Sequence, residues 1–412
     1  MTTAVVIVFL LVYLGMILGG LPFLQLDRTG IALLGAIAIV GIGALSPEQA
    51  AASIHLPTIL LLFSFMVISA QMRLGGFYDW VTRTTAQLPV SAPALLAALI
   101  ALIGVLSAVF SNDIVCLAAA PVLADVCVRR RLDPIPFLLA LACSANVGSA
   151  LTLIGNPQNM LIGATLELGF LDYIRVASPV VASGLAATWA VIAWQSRGRW
   201  HLTDDELLQV HERRHDVTAL DPWQTAKGLL VALALLALFL WLPIPRETAA
   251  LTAAGILLMS RKLHSTKMLG LVDWELLILF IGLFVVNRAF QDTGMPATII
   301  SELAASGIDL AQPAELFVTA LLLSNLVSNV PATMLLLPVA THPLAGPLLA
   351  LVTTLAGNFI IVGSIANIIV VDAAARRGIR IDWRIHARAG VGVTVATLAM
   401  AAGWLYWCAH SV

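Results

Sequence analysis

From Pro93 to Phe110 the chain carries no charge, and from Ile114 to Ala124 it again carries none; Ser111, Asn112 and Asp113 stand between. This pattern restricts the fold more than any other feature. Such runs belong in hydrocarbon, where crossing takes about 20 apolar residues of helix, and neither flank alone reaches that length. Two readings are open. One is a single long helix with a polar kink. The other is a pair of helices that enter from one face, turn near the middle and return. A turn at that depth is tolerated only where it is buried in protein or lines a cavity. Under the second reading, the turn therefore marks a site.

The whole chain has the same character. Of its 412 residues, 60% are hydrophobic and 11% charged, where a soluble domain has about 25% charged residues. The apolar runs are too long and unbroken for barrel strands. The net charge of −1 offers nothing to nucleic acid. Cys116, Cys127, Cys143 and Cys408 lack metal or redox spacing and read as small packing residues. No basic stretch precedes Ala4–Phe23, so that segment reads as a retained span rather than a signal peptide.

One plan occurs twice. The first half has spans at Ala4–Phe23, Thr29–Leu45 and Pro57–Met72, then a short aromatic stretch, Phe77–Leu88, suited to the interface. The hairpin Pro93 to Val128 follows, then a broken helix over Pro136–Leu168 and a span at Leu171–Gln195. Pro157 lacks an N–H and disfavours helical geometry at Asn156, so the Gly155-Asn156-Pro157 step interrupts its helix. Residues 197–221 are strongly polar and read as a linker. The spacing of its His201, His211 and His215 could bind a metal, but a solvated loop is the favoured reading. The second half has spans near 223–242, 247–260 and 274–291 and a short segment, Pro296–Ser306. A hairpin from Pro313 to His342 turns at Ser328-Asn329-Val330. A helix over Leu348–Ala375 is broken at Gly357-Asn358 and Gly363-Ser364, and a last span lies near 386–408. A displacement of 217 positions sets Ser111 on Ser328, Asn112 on Asn329 and Pro121 on Pro338. One of 208 sets Gly155 on Gly363 and Asn159 on Asn367.

The expected fold is an all-α polytopic membrane protein of two inverted repeats, 1–196 and 223–412, joined by a polar linker over 197–222. Each repeat has three spans, a re-entrant hairpin, a broken helix and a following span, which makes about ten full spans plus two hairpins. Basic residues set the orientation. Threaded this way, Arg175, Arg246 and Arg288 fall on one side, and the other nineteen of 22 Lys and Arg on the opposite, cytoplasmic side. The linker is then cytoplasmic and both termini are extracytoplasmic, in a cytoplasmic (inner) membrane. Hairpin one enters from the cytoplasm and hairpin two from outside.

Interrupted helices in an inverted repeat are a secondary-transporter plan, with substrate and coupling ion near the midplane. Free N–H groups at helix starts favour anions, and freed carbonyls with Asn and Ser oxygens suit Na⁺ or a proton-bearing water. The candidate binding residues are Ser111, Asn112, Asp113, Asn146, Asn156, Asn159, Ser328, Asn329, Thr333, Asn358, Ser364 and Asn367, with the break glycines Gly155 and Gly363. Na⁺ would sit near Ser111, Asn112, Asn156, Ser328 and Asn329. Asp113 is the one carboxylate at a hairpin tip and the candidate coupling group. Burial disfavours its charged form and a bound cation favours it. It could instead cap the outgoing helix. Asp125 reads as a partner for nearby arginines, Asp372 as a helix-end charge, and Glu167, Asp172 and Arg175 as loop charges. Glu275 and Arg288 flank a span, which favours a structural role. No nucleophile–base or metal pair is convincingly placed in the spans, which argues against an intramembrane enzyme, and plugged hairpins fit alternating access better than a channel. No cofactor is expected beyond Na⁺ or H⁺ as coupling ion.

SNDIVCLAAAP at 111–121, GNPQNMLIG at 155–163, SNVPATMLLLP at 328–338 and GSIANIIV at 363–370 together resemble the ion transporter superfamily with the citrate-transporter-like domain. That superfamily includes divalent-anion/sodium symporters, citrate–metal carriers, arsenite efflux permeases and one type of Na⁺/H⁺ antiporter. The resemblance spans nearly the whole chain and lies closest to small bacterial anion permeases. It implies a homodimer that carries a small anionic solute through the lipid bilayer by an elevator motion. It also implies scaffold parts over 1–90 and 223–311 and transport parts over 91–196 and 312–412. The carboxylate symporters of the superfamily carry Ser-Asn-Thr at both tips. Here the third positions are Asp113 and Val330. The Asn-Asp tip is more similar to the arsenite and Na⁺/H⁺ branches.

Overall fold

A computed structural model describes residues 1–20, 24–203 and 218–411. The end of the expected first span, and the middle of the linker with His211 and His215, lie outside the described residues. The described residues form helices and no named strand; a single isolated antiparallel bridge joins Leu132 and His201. The first half contains α1 (Thr2–Leu18), α2 (Arg28–Gly41), α3 (Pro47–Ser53), α4 (Leu56–Leu74), α5 (Phe77–Ala86), α6 (Ala92–Val109), α7 (Asn112–Arg129), α8 (Pro134–Ser149), α9 (Pro157–Thr165) and α10 (Phe170–Gln195). The second contains α11 (Pro222–Trp241), α12 (Arg246–Leu258), α13 (Ser265–Leu269), α14 (Trp274–Asp292), α15 (Met295–Ala305), α16 (Pro313–Val327), α17 (Asn329–Leu336), α18 (Ala345–Ala356), α19 (Ile365–Ala375) and α20 (Trp383–His410).

Aspartates set many of the starts. Asp27, Asp133, Asp221, Asp273 and Asp382 are the N-caps of α2, α8, α11, α14 and α20, and each side chain accepts a backbone N–H of the first turn. Each satisfies donors that a helix start otherwise leaves open. Helix α3 was not expected. It begins at a capping box, Ser46 with Gln49, reinforced by Pro47 at its first position.

The stretch from Pro93 to Val128 is two helices, not one. Phe110 and Ser111 adopt extended backbone between α6 and α7. One straight helix of that length would separate its ends by about 50 Å. Instead the Arg130 guanidinium donates to Ala86 O, so the end of α7 returns beside the approach to α6. Hairpin two also folds back: Gln312 and Pro313 at its start share a groove with Leu344 beyond its end. Its second arm is short and closes in a 3₁₀ turn, Leu337–Val339, at Pro338. Six helices (α4, α6, α10, α11, α14 and α20) are long and apolar enough to cross a membrane by themselves. That set includes α6, whereas the sequence suggested that neither hairpin flank was long enough alone.

Helix α2 packs on α14 and α4 on α12, while α10 packs on α20. The returning arm of each hairpin lies on the distal piece of the other half's broken helix: α7 on α19, and α17 on α9. Large apolar side chains face outward on α1 (Leu10), α2 (Ile37), α11 (Leu230, Leu233) and α20 (Val395), as lipid-facing surfaces do.

Arg377, just beyond α19, donates through Nε to Asp125 Oδ1 of α7 at 2.7 Å, with both side chains mostly buried. Asp125 does pair with an arginine, but one from the other half of the chain. Arg376–Asp372, Arg288–Asp292 and Arg175–Asp172 are exposed pairs within one helical turn, and Lys262 lies 3.6 Å from Asp221 at the surface. Breaking a fully buried pair costs about 3–5 kcal/mol, and partial exposure lowers that. Arg377→Met should therefore destabilise by about 2 kcal/mol in denaturant unfolding. Adding Asp125→Asn should restore part of the loss, since the stranded charge goes with it. Simple additivity of the two costs would contradict a direct pair.

Candidate functional site

The four interruptions meet at one buried polar network, beginning at hairpin one. Asn112 N donates to Gly155 O at 3.2 Å, and its side-chain Nδ2 donates to Asn146 Oδ1 at 3.1 Å. Gly155 permits this approach because a Cβ there would stand 2.2 Å from Ser149 O and 2.8 Å from Ser107 O. No larger residue fits without moving backbone.

Each broken helix is stitched by its own asparagine. Asn156 caps α9 by accepting from Asn159 N at 2.9 Å. Asn159 Nδ2 donates to Thr152 O at 3.1 Å, and Asn367 Nδ2 donates to Ile360 O at 3.1 Å. Donors and acceptors are displaced by the same 208 positions. These bonds satisfy carbonyls that the breaks free from helical pairing. Tyr173 adds a bond to Ala150 O at 2.6 Å, and His386 Nε2 lies 3.1 Å from Asn358 O.

Asn146 joins the halves. Its Oδ1 accepts from Asn112 at 3.1 Å and from Ser364 Oγ at 2.8 Å. Its Nδ2 donates to Asn358 Oδ1 at 2.8 Å and Asn367 Oδ1 at 3.2 Å. Thr354 does the same from the other half. Its Oγ1 accepts from Asn156 at 3.1 Å and Gln158 at 3.2 Å, and donates to Asn159 Oδ1 at 3.4 Å. Thr354 stands 208 positions after Asn146, and Ser364 stands 208 after Asn156. The Ser364–Asn146 and Asn156–Thr354 contacts are therefore one contact made twice.

At hairpin two Ser328 holds φ 78°, ψ 163°. This region is essentially reserved for glycine and costs a side chain about 1–3 kcal/mol. The Asn329 amide is satisfied with its nitrogen toward Thr353 O (3.0 Å) and Gly363 O (3.2 Å) and its oxygen toward Gln158 Nε2 (3.2 Å). Gly363, like Gly155, is packed at its break: a Cβ would stand 3.1 Å from Gly357 O.

Asn112, Asn146, Gly155, Asn156, Asn159, Asn329, Asn358, Gly363, Ser364 and Asn367 are thus brought together. Four expected residues are not bonded into the network. The Ser111 and Ser328 hydroxyls make no hydrogen bond among the described residues. Thr333 is buried beyond the hairpin-two tip with its hydroxyl unpartnered. Asp113 is half-buried in the first turn of α7 and accepts no hydrogen bond among the described residues, so it is not a cap. Gln158, Thr354, Ser149, Thr152, Tyr173 and His386 went unnoticed in the sequence. The 208-residue displacement would have found Thr354 from Asn146.

Helices α7, α9, α17 and α19 all begin in this network, at Asn112, Asn156, Asn329 and Ser364. Their starts supply positive potential. No Lys or Arg hydrogen-bonds to the network among the described residues. No group of three or more His, Cys, Asp or Glu gathers among the described residues to hold a metal. Hard oxygen donors are available: Asn112 Oδ1 and Ser107 Oγ are buried without partners. Oxygens of this kind are the donor type that hard cations take.

The family model for the citrate transporter matches residues 5–356. The chain belongs to the citrate transporter family. Like that family it is a membrane-embedded, multi-pass transporter, all-helical among its described residues. It is 27% identical to a 46 kDa membrane protein of Mycobacterium leprae, with 93% of this chain and 94% of the relative covered. It is 27% identical to the silicon efflux transporter LSI3 of Oryza sativa subsp. japonica, covering 86% and 87%. The inner membrane protein YbiR of Escherichia coli is 28% identical, covering 89% and 93%. The fold is similar to the YdaH transporter of Alcanivorax borkumensis, with a TM-score of 0.56 at 13% identity over 100% of this chain and 98% of that one. It is also similar to MtrF of Neisseria gonorrhoeae, with a TM-score of 0.57 at 13% identity over 98% and 94%.

Proposed function

We propose that this citrate transporter family member is a secondary active transporter of a small anion, a carboxylate or inorganic oxyanion, coupled to Na⁺ or H⁺. The observation that carries this reading is the network in which four helix N-termini converge with no Lys or Arg bonded to it among the described residues. Such a site attracts an anion through backbone N–H groups, while the orphan oxygens of Asn112 and Ser107 receive the cation. The inverted-repeat reading is supported by the paired contacts of Asn146 and Thr354 and by the exchanged packing of α7 on α19 and α17 on α9. Scaffold helices α2, α4, α12 and α14 pair with one another, which suits an elevator in which hairpins and broken helices move together against them, in a homodimer. The inner-membrane orientation, with the linker cytoplasmic and both termini outside, rests on the count of basic residues.

A second reading is proton-coupled efflux of a weak acid such as arsenite, or Na⁺/H⁺ exchange. Asp113 favours it, as a tip carboxylate without a hydrogen bond among the described residues, and so does the relative named a silicon efflux transporter. Proteoliposomes with separate Na⁺ and H⁺ gradients decide between them, using dicarboxylates, citrate, sulfate and arsenite as substrates. Asp113→Asn should abolish the response to a pH gradient while leaving any Na⁺-driven uptake within about twofold; this allowance corresponds to only a few tenths of a kcal/mol. Full pH-driven transport by that variant would remove Asp113 as the proton carrier. No gradient-driven flux of any panel member would sink the transport assignment proposed here.

A further inference from the structure

Away from the amide network, α5 and α7 enclose a cleft of about 120 Å³, lined by Arg83, Gln87, Asp125, Val126, Arg129 and Arg130. Its charges are not balanced within the described structure. Asp125 is taken by Arg377 at 2.7 Å. Arg130 spends one N–H on Ala86 O. Arg83 and Arg129 have no hydrogen-bond or ion-pair partner among the described residues. Arg83 and Arg129 therefore line, beside the still-cationic Arg130, a small cleft whose one carboxylate is already neutralised. Each lies in the last turn of its helix, where a cation is favoured, but that term acts within each helix and does not relieve repulsion across the cleft. An anion between them would.

We propose that this cleft binds a phosphate group. A guanidinium fork matches phosphate oxygens two at a time, and Arg is the residue type used for such planar recognition. The volume equals that of about four waters at ~30 Å³ each, room for one tetrahedral oxyanion. The cleft also lies on the proposed interface helix α5, whose Trp80 is outward-facing. Basic pockets at the cytoplasmic ends of membrane helices receive anionic headgroups. The phosphate can thus come from an anionic phospholipid or from solution. The bound group would tie α5 to the returning arm of hairpin one. The proposal stands on the cleft and its charges and does not require the transport reading.

The test uses the full chain in detergent, in two arms. Native mass spectrometry compares phosphatidylglycerol with phosphatidylcholine, and thermal unfolding compares inorganic phosphate with chloride at matched ionic strength. For wild type, either selective phosphatidylglycerol adducts or stabilisation by phosphate is expected, and which arm responds names the source. The Arg83→Gln/Arg129→Gln double variant should weaken that response at least tenfold. Arg288→Gln, an arginine already paired with Asp292, should leave it unchanged. Should the double variant not fold, Arg129→Gln alone is read, because its side chain is exposed and its loss leaves the packing intact. Wild type responding in neither arm, or variants of Arg83 and Arg129 that respond as wild type does, would overturn the proposal.

Discussion

Gly148→Ala should lower stability by at least about 2 kcal/mol, at the upper side of the overpacking range. The reason is backbone contact. Helices α6 and α8 meet through Gly104 and Gly148, and a Cβ on Gly148 would stand 2.4 Å from both Gly104 Cα and Gly104 O. The obstacle is main chain, so no rotamer change relieves it. The helices must separate or slide. In a membrane, helix pairs gain their attraction from close packing rather than from water exclusion, so small residues at the contact carry unusual weight. Separation would also disturb function. Ser107 and Asn112 follow Gly104 on one side, and Asn146 precedes Gly148 on the other, so the site lies beside the wedge. Gly255→Ala is the control. A Cβ there meets nothing within 4 Å, and alanine gains about 0.8–1.0 kcal/mol in helix propensity. Thermal unfolding followed by tryptophan fluorescence should separate the two in opposite directions. Equal midpoints would show that the α6–α8 contact adapts at little cost.

The parts of this molecule that were legible beforehand share a physical cause. Polar residues in an apolar run must be satisfied internally, so Asn112, Asn156, Asn329 and Asn367 announced both the breaks and the groups that fill them. The backbone rules of Pro157 placed the break that α9 begins from. What stayed hidden falls into two kinds. Some residues look bland in sequence. Thr354 sits among apolar neighbours in α18 and reads as packing, although it is the counterpart of Asn146. Other features depend on distance through the chain. The Asp125–Arg377 pair joins residues 252 positions apart, and no local pattern connects them. Asp113 is a third case. Its position in the first helical turn made a cap plausible, yet the cap position belongs to Ser111, whose side chain does not cap either. That leaves the Asp113 carboxylate without a structural duty among the described residues, and it is the reason the coupling experiment is built on it.

Asn146→Asp should reduce transport at least a hundredfold with a smaller effect on folding. The substitution keeps shape and both oxygen-acceptor contacts, to Asn112 and Ser364, and removes only the N–H donors. Asn358 Oδ1 and Asn367 Oδ1, at 2.8 and 3.2 Å, then face an acceptor. Leaving a buried acceptor unsatisfied costs about 1–3 kcal/mol, and two such losses at a binding site amount to roughly two decades or more. Asn367 can keep its bonds to Gly357 O and Ile360 O through Nδ2, so the second break should hold its shape. The new charge adds a second penalty, because it would sit among helix starts that otherwise favour an incoming anion. Protonation of the introduced carboxyl restores one donor. Residual transport should therefore rise as pH falls, a trend that a purely structural role for Asn146 would not produce. Asn146→Ala should show no such recovery. Flux of whichever substrate wild type carries, measured across pH for both variants with melting curves alongside, distinguishes the outcomes. Near-normal flux in Asn146→Asp would mean that the amide network holds the halves together without taking part in transport.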